Sequence, residues 1–162
     1  MGKPDPAVIR RATPRDAMVL SNLENRTFSG DRISLRSFRR LLRRESAAVL
    51  VAEHGDQPAG YAMVLFRRNS RAARLYSIAI DSRHAGRGLG RALLAASEKY
   101  AARCGAKAMR LEVREDNTAA IALYRSAGYQ PTGHVAGYYA DGCDALCFAK
   151  PLSVTAAPEV KA

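Results

Sequence analysis

The sequence predicts a single α/β domain built on one mixed sheet of about seven strands, with helices on both faces of that sheet. Three observations predict this fold. A chain of 162 residues, 48% of them hydrophobic, is long enough for one full core and too short for two. Several apolar runs of strand length follow one another in the first half. The second half alternates strand, helix, strand, helix and strand, an order that packs helices against a sheet.

The first half of the chain carries two helix starts and four runs with strand character. Thr13 and Pro14 provide an N-cap and a proline at the first helical position, and Ser34 provides a second N-cap. The polar segment 55–58 separates two strands and predicts a hairpin. The predicted elements are strands at 8–11, 47–54, 59–68 and 73–80 and helices at 13–25 and 34–46.

In the second half, glycines mark the ends of two helices, and alternating apolar residues mark a strand. Gly105 and Gly128 follow the last periodic residue of each helix. The predicted elements are helices at 89–104 and 116–128 and strands at 107–115, 129–135 and 144–150. We expect the domain to span 7–152. The segments 1–6 and 153–162 lack periodicity and are expected to be flexible ends.

Composition excludes several classes of protein. No apolar run approaches the roughly 18 residues of a membrane span. The N-terminal segment lacks the apolar region of a signal peptide, so we expect a cytoplasmic protein with no membrane partner. Three cysteines, an odd number, indicate reduced thiols, and Cys143 and Cys147 are predicted to be packed thiols. No metal is predicted, because neither the cysteines nor the histidines have ligand partners at useful spacing; these residues are Cys104, Cys143, Cys147, His54, His84 and His134.

The net charge of +11 leaves three kinds of partner open. Of the 26 basic residues 21 are arginine, so the charge persists at any physiological pH. Such a chain can bind nucleic acid, an acidic protein or a phosphorylated cofactor. A nucleic-acid-binding module is the weakest of these hypotheses, because the sequence has no aromatic platform and no recognisable binding motif.

The segment RHAGRGLGRALL, residues 83–94, follows an apolar strand and leads into a helix. Glycine admits positive φ and lets a ligand approach the backbone. The first turn of a helix offers unpaired N–H groups and the positive end of its dipole. Strand, glycine loop and helix together predict an anion site, most often one for phosphate. A glycine-rich helix start that binds nothing is the ordinary alternative.

Two common nucleotide motifs fit this segment poorly. The dinucleotide fingerprint requires G-x-G-x-x-G in a tight turn, whereas here Arg91 follows Gly90 and the first glycine comes six residues after the strand. Glu112 resembles the acid that binds a ribose, which keeps this alternative open. A Walker A loop is excluded, because the segment contains no G-K-S/T.

The segment RGLGRALL, with IAID upstream and NTAAIALYRSAGY downstream, resembles the GNAT superfamily of acyl-CoA-dependent N-acetyltransferases. The resemblance runs from the first strand to Leu152 and implies a mixed, mostly antiparallel sheet. LEVREDNTAAIALYRSAGY followed by GYYADGCDAL is most similar to the ribosomal-protein alanine acetyltransferase group. These enzymes acetylate protein N-termini.

The resemblance implies that acetyl-CoA is the co-substrate. Backbone amides of the glycine loop would hold its pyrophosphate, and the end of the preceding strand would bond its pantetheine arm. Asn117 would be an asparagine on the cofactor side, although a helix N-cap explains it equally well. The implied cofactor residues are Ile78, Ala79, Ile80, Gly86, Arg87, Gly88, Leu89, Gly90, Arg91 and Asn117.

Glu112 and Tyr124 are the candidate general base and general acid. Deprotonating an α-amine at pH 7 requires about 1 kcal/mol and a lysine about 4.6 kcal/mol, so one carboxylate acting through water suffices for the α-amine. Glu112 lies at the carboxyl end of a strand, but Arg110 and Arg114 flank it, so an ion-paired glutamate is the alternative. Tyr124 can protonate a thiolate and stay neutral at pH 7. Its alternative is a core tyrosine.

The acceptor is predicted to be a protein or peptide N-terminus, with a small amine or amino acid as the alternative. The resemblance puts Tyr138 and Tyr139 near a peptide groove, where packing is an equal alternative. Arg39 and Arg43, on the arginine-rich helix 34–46, are candidates for attracting an acidic acceptor, although such a helix is often only a solvated face. Neither the oligomeric state, a monomer or a homodimer, nor the acceptor's identity follows from the sequence.

Overall fold

The computed structural model describes residues 7–153, and within that range it contains seven strands and four helices. The strands are β1 Val8–Arg11, β2 Ala47–His54, β3 Gln57–Leu65, β4 Ala72–Ile80, β5 Ala108–Arg114, β6 Gln130–Val135 and β7 Ala145–Pro151. The helices are α1 Ala17–Thr27, α2 Leu35–Leu41, α3 Leu89–Arg103 and α4 Thr118–Ser126.

All seven strands join one sheet in the order β1-β2-β3-β4-β5-β7-β6. β4 and β5 are parallel, and the other neighbouring strands are antiparallel. The crossover that a parallel pair requires is made by α3. The prediction of a mixed, mostly antiparallel sheet of about seven strands is confirmed.

Helices cover both faces of the sheet, and each face has its own apolar core. On one face α1 and α2 pack against β2 and β3, where Phe38 meets the fully buried Tyr61 edge-on with ring centroids 5.5 Å apart. On the other face α3 and α4 cover residues such as Leu75 and Leu111. Large side chains on both faces bury their apolar surface, which is the main favourable term in folding.

Several element boundaries differ from the sequence prediction; the predicted strand 59–68, for example, is β3 Gln57–Leu65. The first helix opens with a 3₁₀ turn, Pro14–Asp16, before α1 begins. The hairpin loop is two residues long, because His54 pairs with Gln57. The predicted helix 34–46 is too long: α2 ends at Leu41, and the next amides make the shorter bonds of a tightened last turn.

The predicted flexible ends, 1–6 and 153–162, lie outside the described residues apart from Ser153, so the domain bounds 7–152 stay a prediction. All three cysteines are free. Cys143 and Cys147, the two predicted packed thiols, are half-buried, and Cys104 at the end of α3 is exposed. No helix within residues 7–153 has the length and apolarity to cross a membrane.

Candidate active site

The sheet opens between β4 and β5. The two strands pair only from Ala72 with Ala108 to Leu75 with Leu111, and β4 then continues to Ile80 without a partner on that side. A bulge at the same level assists the opening: Val64 pairs with Leu75 and Met63 with Ser77, so Tyr76 is left out of the ladder. A bulge bends its strand and increases the local twist. A cavity of about 400 Å³ lies at this opening.

The end of β4 offers an unpaired backbone edge beside the cavity. Residues 78–80, predicted to bond the pantetheine arm, pair with β3 on one side, and β5 does not reach their other side. Ile78 lines the cavity, whereas Ala79 and Ile80 lie further along the strand. An extended ligand can therefore add to this edge as a strand would.

The predicted phosphate loop follows β4 directly. Asp81 is 3% exposed and caps the 3₁₀ turn Ser82–His84 by accepting a hydrogen bond from the Arg83 amide. Its carboxylate also accepts from the guanidinium groups of Arg83 and Arg26, which ties the loop to α1. These contacts, chiefly the hydrogen bond from Arg83, hold the pKa of Asp81 well below its usual range. The loop is thus anchored at its start by a buried charge.

The loop has the conformation of an anion site. Gly86 and Gly88 adopt φ values of 79° and 76°, and Gly88 is the N-cap of α3. The six amides of residues 86–91 donate no hydrogen bond to any residue within 7–153. A Cβ built on Gly86 or Gly88 would meet nothing within 4 Å, so the space in front of the loop is open. A run of unpaired amides at a helix start fits a pyrophosphate.

Glu112 lies on the β5 side of the cavity and forms two ion pairs. Its Oε2 accepts from Nε of Arg74 at 3.0 Å, and its Oε1 accepts from Arg110 at 3.1 Å. Its side chain is 16% exposed. The ion-paired glutamate considered from the sequence is therefore present, and it lies within the cavity wall. The two ion pairs leave each oxygen of the Glu112 carboxylate with a second lone pair.

Tyr124 lines the same cavity from α4. The residue is 5% exposed, and its hydroxyl makes no hydrogen bond to any described residue. Burial raises the pKa of the phenol above its ordinary value, with a smaller contribution from Tyr139. The hydroxyl is a proton donor at any physiological pH. Asn117 also lines the cavity, and its side chain caps α4 by accepting from the Ala120 amide at 3.1 Å.

Tyr138 and Tyr139 lie in the β6–β7 loop and line the cavity. Their rings meet edge-on at 4.9 Å. The Tyr138 hydroxyl accepts from Arg74 at 2.7 Å, so one arginine joins it to Glu112. The Arg114 guanidinium lies over the Tyr139 ring at 5.0 Å. Burial raises the pKa of Tyr139 to about 12.

The predicted arginines of the second helix lie elsewhere. Arg39 and Arg43 are exposed, and Arg43 lies beyond the end of α2. No residue of the segment 34–46 lines the cavity. The loop between α1 and α2 does line it, and Asp31 of that loop accepts from the Ala140 amide of the β6–β7 loop at 3.2 Å. The two loops thereby meet across the opening.

Several cavity residues were missed by the sequence analysis, among them Glu24 and Arg74. Glu24 lies on the buried stripe of α1 with Leu20 and Leu23, and an acid on an apolar stripe was the available signal. Arg74 had no local signal, since its partners lie 38 and 64 positions away in the chain.

The carboxylates and histidine of Glu115, His134 and Asp144 also come together, contrary to the expectation that no histidine has ligand partners. Their ligand atoms lie within 4.8 Å of one another. Glu115 and His134 are exposed and Asp144 is half-buried, and Nε2 of His134 lies 3.1 Å from the Asp144 carboxylate and 3.6 Å from that of Glu115.

Comparison with known proteins decides the family. The model of the acetyltransferase (GNAT) family matches residues 17–129, which contain the glycine loop, Glu112 and Tyr124. This chain belongs to that family. The prediction of a GNAT fold and of an N-acetyltransferase is confirmed, and the family uses acetyl-CoA.

Two relatives match most of the chain. N-alpha-acetyltransferase RimI of Mycobacterium tuberculosis is 37% identical over 145 residues, which is 87% of this chain and 90% of the relative. An uncharacterised protein of Mycobacterium leprae, ML0378, is 37% identical over 145 residues, and the match spans only 40% of its length.

Solved structures share the fold over nearly the whole chain. The ribosomal-protein-S18-alanine N-acetyltransferase of Escherichia coli has a TM-score of 0.82 at 29% identity and covers 91% of this GNAT chain and 95% of its own. The acetyltransferase YncA of Salmonella typhimurium, solved with its cofactor acetyl-CoA, has a TM-score of 0.76 at 26% identity and covers 96% of this chain and 99% of its own.

Proposed function

We propose that this GNAT protein transfers the acetyl group of acetyl-CoA to the α-amine of a protein or peptide N-terminus. One observation carries the proposal: Glu112 and Tyr124 line the same cavity at the β4–β5 opening. The unpaired edge of β4 and the loop of unpaired amides adjoin this opening. The named relatives support the choice of acceptor, since they are an N-alpha-acetyltransferase and a ribosomal-protein-alanine N-acetyltransferase.

The cofactor would bind along β4 and the loop that follows it. The amides of residues 86–91 would accept the pyrophosphate, and the free edge of residues 78–80 would bond the pantetheine amides. The Asn117 side chain would contribute from the start of α4. When bound, acetyl-CoA supplies an activated thioester carbonyl.

Glu112 would accept the proton that the nitrogen loses as the amide bond forms. Arg74 and Arg110 fix the orientation of its carboxylate, and a free lone pair on each oxygen stays available to a water or an amine. Tyr124 would donate a proton to the departing thiolate. Its neutral hydroxyl has no partner among the described residues to compete for that proton.

The acceptor would enter between the α1–α2 loop and the β6–β7 loop. Tyr138 and Tyr139 provide apolar rings on one side, and the contact between Asp31 and Ala140 narrows the passage. An entrance between two loops suits an extended chain end that enters the cavity with its α-amine first.

An acetylation screen tests the proposal. Purified protein is supplied with acetyl-CoA, peptides that differ in their first residue, and small amines including free amino acids, and products are identified by mass spectrometry. We expect acetylation of at least one peptide α-amine with a kcat/KM well above that of any small amine. The same rate for a free amino acid and for a peptide beginning with it would reject the protein acceptor.

A further inference from the structure

Glu24 is a buried carboxylate that the proposed reaction does not yet use. It lies on α1, is 1% exposed and contributes to the cavity wall opposite Glu112. Its Oε2 accepts from the Ile33 amide at 2.7 Å, and its Oε1 accepts from the hydroxyl of Tyr61. No cation pairs with it among the described residues, whereas Glu112 has two arginines. An unpaired buried carboxylate is costly, and such groups concentrate at functional sites.

A chain of hydroxyls connects this carboxylate to the cavity. Tyr61 on β3 is fully buried, and its hydroxyl lies 2.9 Å from Oγ of Ser77 on β4. Ser77 is half-buried and lines the cavity next to the Tyr76 bulge. Hydrogen bonds therefore run without a gap from Ser77, through Tyr61, to Glu24. A hydroxyl both donates and accepts, so each member of the chain can pass a proton on.

The chemistry of the reaction requires two protons to leave the nitrogen. An α-amine with a pKa near 7.8 is mostly an ammonium ion at neutral pH. It must lose one proton before it can attack and a second as the amide forms. One proton ends on the sulfur of CoA, and one is released to solvent. One carboxylate acting through water suffices for the first loss, but Glu112, which is held by two arginines, is assigned to the second loss and Tyr124 to the thiol, so the first proton requires an acceptor of its own.

We propose that Ser77, Tyr61 and Glu24 form a relay that removes the first proton from the bound ammonium group of the acceptor. This inference rests on the proposed N-acetyl transfer to an amine. The N–H bond breaks as Ser77 Oγ takes the proton, the Ser77 proton moves to Tyr61 Oη, and the Tyr61 proton moves to Glu24 Oε1. One N–H bond is lost, one O–H bond on Glu24 is formed, and the uncharged amine remains. After product release the relay runs in reverse into cavity water.

The surroundings of Glu24 increase its affinity for a proton. Burial raises the pKa of Glu24 above its ordinary value, and the hydrogen bonds from Tyr61 and Ile33 oppose that shift only in part. The charged and titratable groups that act on Glu24 and Tyr61 are Arg32 of the α1–α2 loop and Tyr76 on β4. Ser77 shares the cavity with further groups of this kind, which are Asp31, Arg74, Glu112, Arg114, Tyr124, Tyr138 and Tyr139. Burial and the nearby Glu24 carboxylate raise the pKa of Tyr61, so its hydroxyl stays protonated and acts only as a link.

The test compares Tyr61→Phe and Glu24→Gln with the wild type in kcat/KM for one peptide between pH 6 and pH 9. Phenylalanine keeps the ring that packs on Phe38 and removes only the hydroxyl link. Tyr129→Phe is the matched control, because Tyr129 is a buried tyrosine whose hydroxyl donates to Glu98 at 2.9 Å on the other face of the sheet. Circular dichroism and acetyl-CoA affinity establish that each variant folds.

Without the relay, only amines that are already neutral can react. At pH 6.5 about one α-amine in 20 is neutral, so both variants should lose about 20-fold in kcat/KM. At pH 9 the loss should fall below about twofold, because the amine is then neutral by itself. Tyr129→Phe should follow the wild type at every pH.

Two results would overturn the relay itself, and a third would overturn the proposed function on which it rests. A loss of equal size at all pH values would make Glu24 a brace for Ile33 and its loop. A wild-type pH profile in Tyr61→Phe would reject the path, and this variant decides the matter if Glu24→Gln fails to fold. No turnover of any peptide by the wild type would overturn the proposed function itself, whereas an active wild type with an unchanged variant profile rejects the relay alone.

Discussion

Among single residues, Gly88 combines a positive φ with open space at its Cβ position. We predict that Gly88→Ala weakens acetyl-CoA binding at least about tenfold, because a methyl group would occupy space beside the unpaired loop amides. The left-handed backbone should also lower the free energy of unfolding by about 1 kcal/mol. Calorimetry measures the affinity and denaturant unfolding measures the stability. Valine is a poorer choice, because a β-branched residue at positive φ adds strain.

Gly55 provides the control for this variant. It has a φ of 63° in the β2–β3 hairpin, and a Cβ there would also meet nothing within 4 Å. Gly55→Ala should show the same loss of stability with unchanged cofactor affinity. Equal affinities in both variants would reject the assignment of the loop to the pyrophosphate.

Glu112 would accept the proton that the nitrogen loses as the amide forms, whereas Glu24 would accept the first proton of the ammonium group. We predict that Glu112→Gln lowers kcat about 10²–10⁴-fold with little change in acetyl-CoA affinity, the range expected for a lost general base. The defect should persist at pH 9, because a neutral amine must still lose a proton as the amide forms. Steady-state rates at pH 7 and pH 9 check this.

Glu98→Gln is the matched control for Glu112→Gln. Glu98 also accepts from two groups, the Lys150 ammonium and the Tyr129 hydroxyl, but it lies outside the cavity wall. It should retain wild-type activity. A Glu112→Gln defect that disappears at pH 9 would assign both carboxylates to the same proton.

Among the elements, the segment 34–46 shows where prediction from sequence succeeds and where it stops. Ser34 caps α2 as predicted, since its side chain accepts from the Ser37 amide at 3.1 Å. The end at Leu41 was not predictable, because no glycine or proline marks it. Like charges three and four positions apart disfavour further turns, and these residues are Arg36, Arg39, Arg40, Arg43 and Arg44.

The candidate site also contains some residues that the sequence predicts and others that it does not. Glu112, Tyr124 and Asn117 lie within 13 positions of one another, so a local motif identifies them and the strand–helix order brings them together. Glu24, Tyr61 and Ser77 come from three elements, and only the pairing of β3 with β4 and the packing of α1 across them make one cluster. The Arg74 contacts with Glu112 and Tyr138 depend on the sheet order in the same manner.

The positive charge on the segment 34–46 leads to a further prediction. Arg39→Glu/Arg43→Glu should lower kcat/KM for acidic peptides about threefold or more at low salt, because long-range attraction raises encounter rates. The effect should fade near 0.15 M salt, where the screening length is about 8 Å. Kinetics with paired acidic and neutral peptides across salt concentrations measure it.

Arg67→Glu/Arg68→Glu carries the same change in net charge at the β3–β4 turn, away from the cavity. This control should leave the preference between the two peptides unaltered. An equal loss of kcat/KM in both double variants would mean that only the overall charge matters. No loss in either variant would mean that the segment 34–46 is a solvated surface without a role in binding the acceptor.

For the molecule as a whole, Asp81 joins the two sides of the site through Arg26 of α1 and Arg83 of the 3₁₀ turn. Its lowered pKa means that the carboxylate stabilises the fold above about pH 4, and that this stability is lost as the pH falls through the folded-state pKa. Asp81→Asn should lower the free energy of unfolding by about 1–2 kcal/mol at pH 7, since both arginines are at least half-exposed.

Urea unfolding of Asp81→Asn and wild type at pH 7 and pH 3 checks the sign. The gap between the two should begin to narrow at the lower pH and close only below the folded-state pKa of Asp81. Asp141→Asn serves as a control, because the pKa of Asp141 is also lowered by an arginine, but its carboxylate is exposed and should matter far less. A gap that stays constant with pH would mean that Asp81 acts through packing alone.

The short pairing between β4 and β5 has a mechanical consequence. Within the described sheet, only four residue pairs join the strands β1–β4 to the strands β5–β7–β6, and the Arg74 bonds to Glu112 and Tyr138 are side-chain contacts across the same seam. A small rotation about this seam would widen or narrow the cavity and keep the backbone hydrogen bonds on either side of it. A ligand that contacts the edge of β4 on one side of the seam and the start of α4 on the other would restrict this rotation. Saturation at 100 times its Kd would add about 2.7 kcal/mol to the stability of the whole chain.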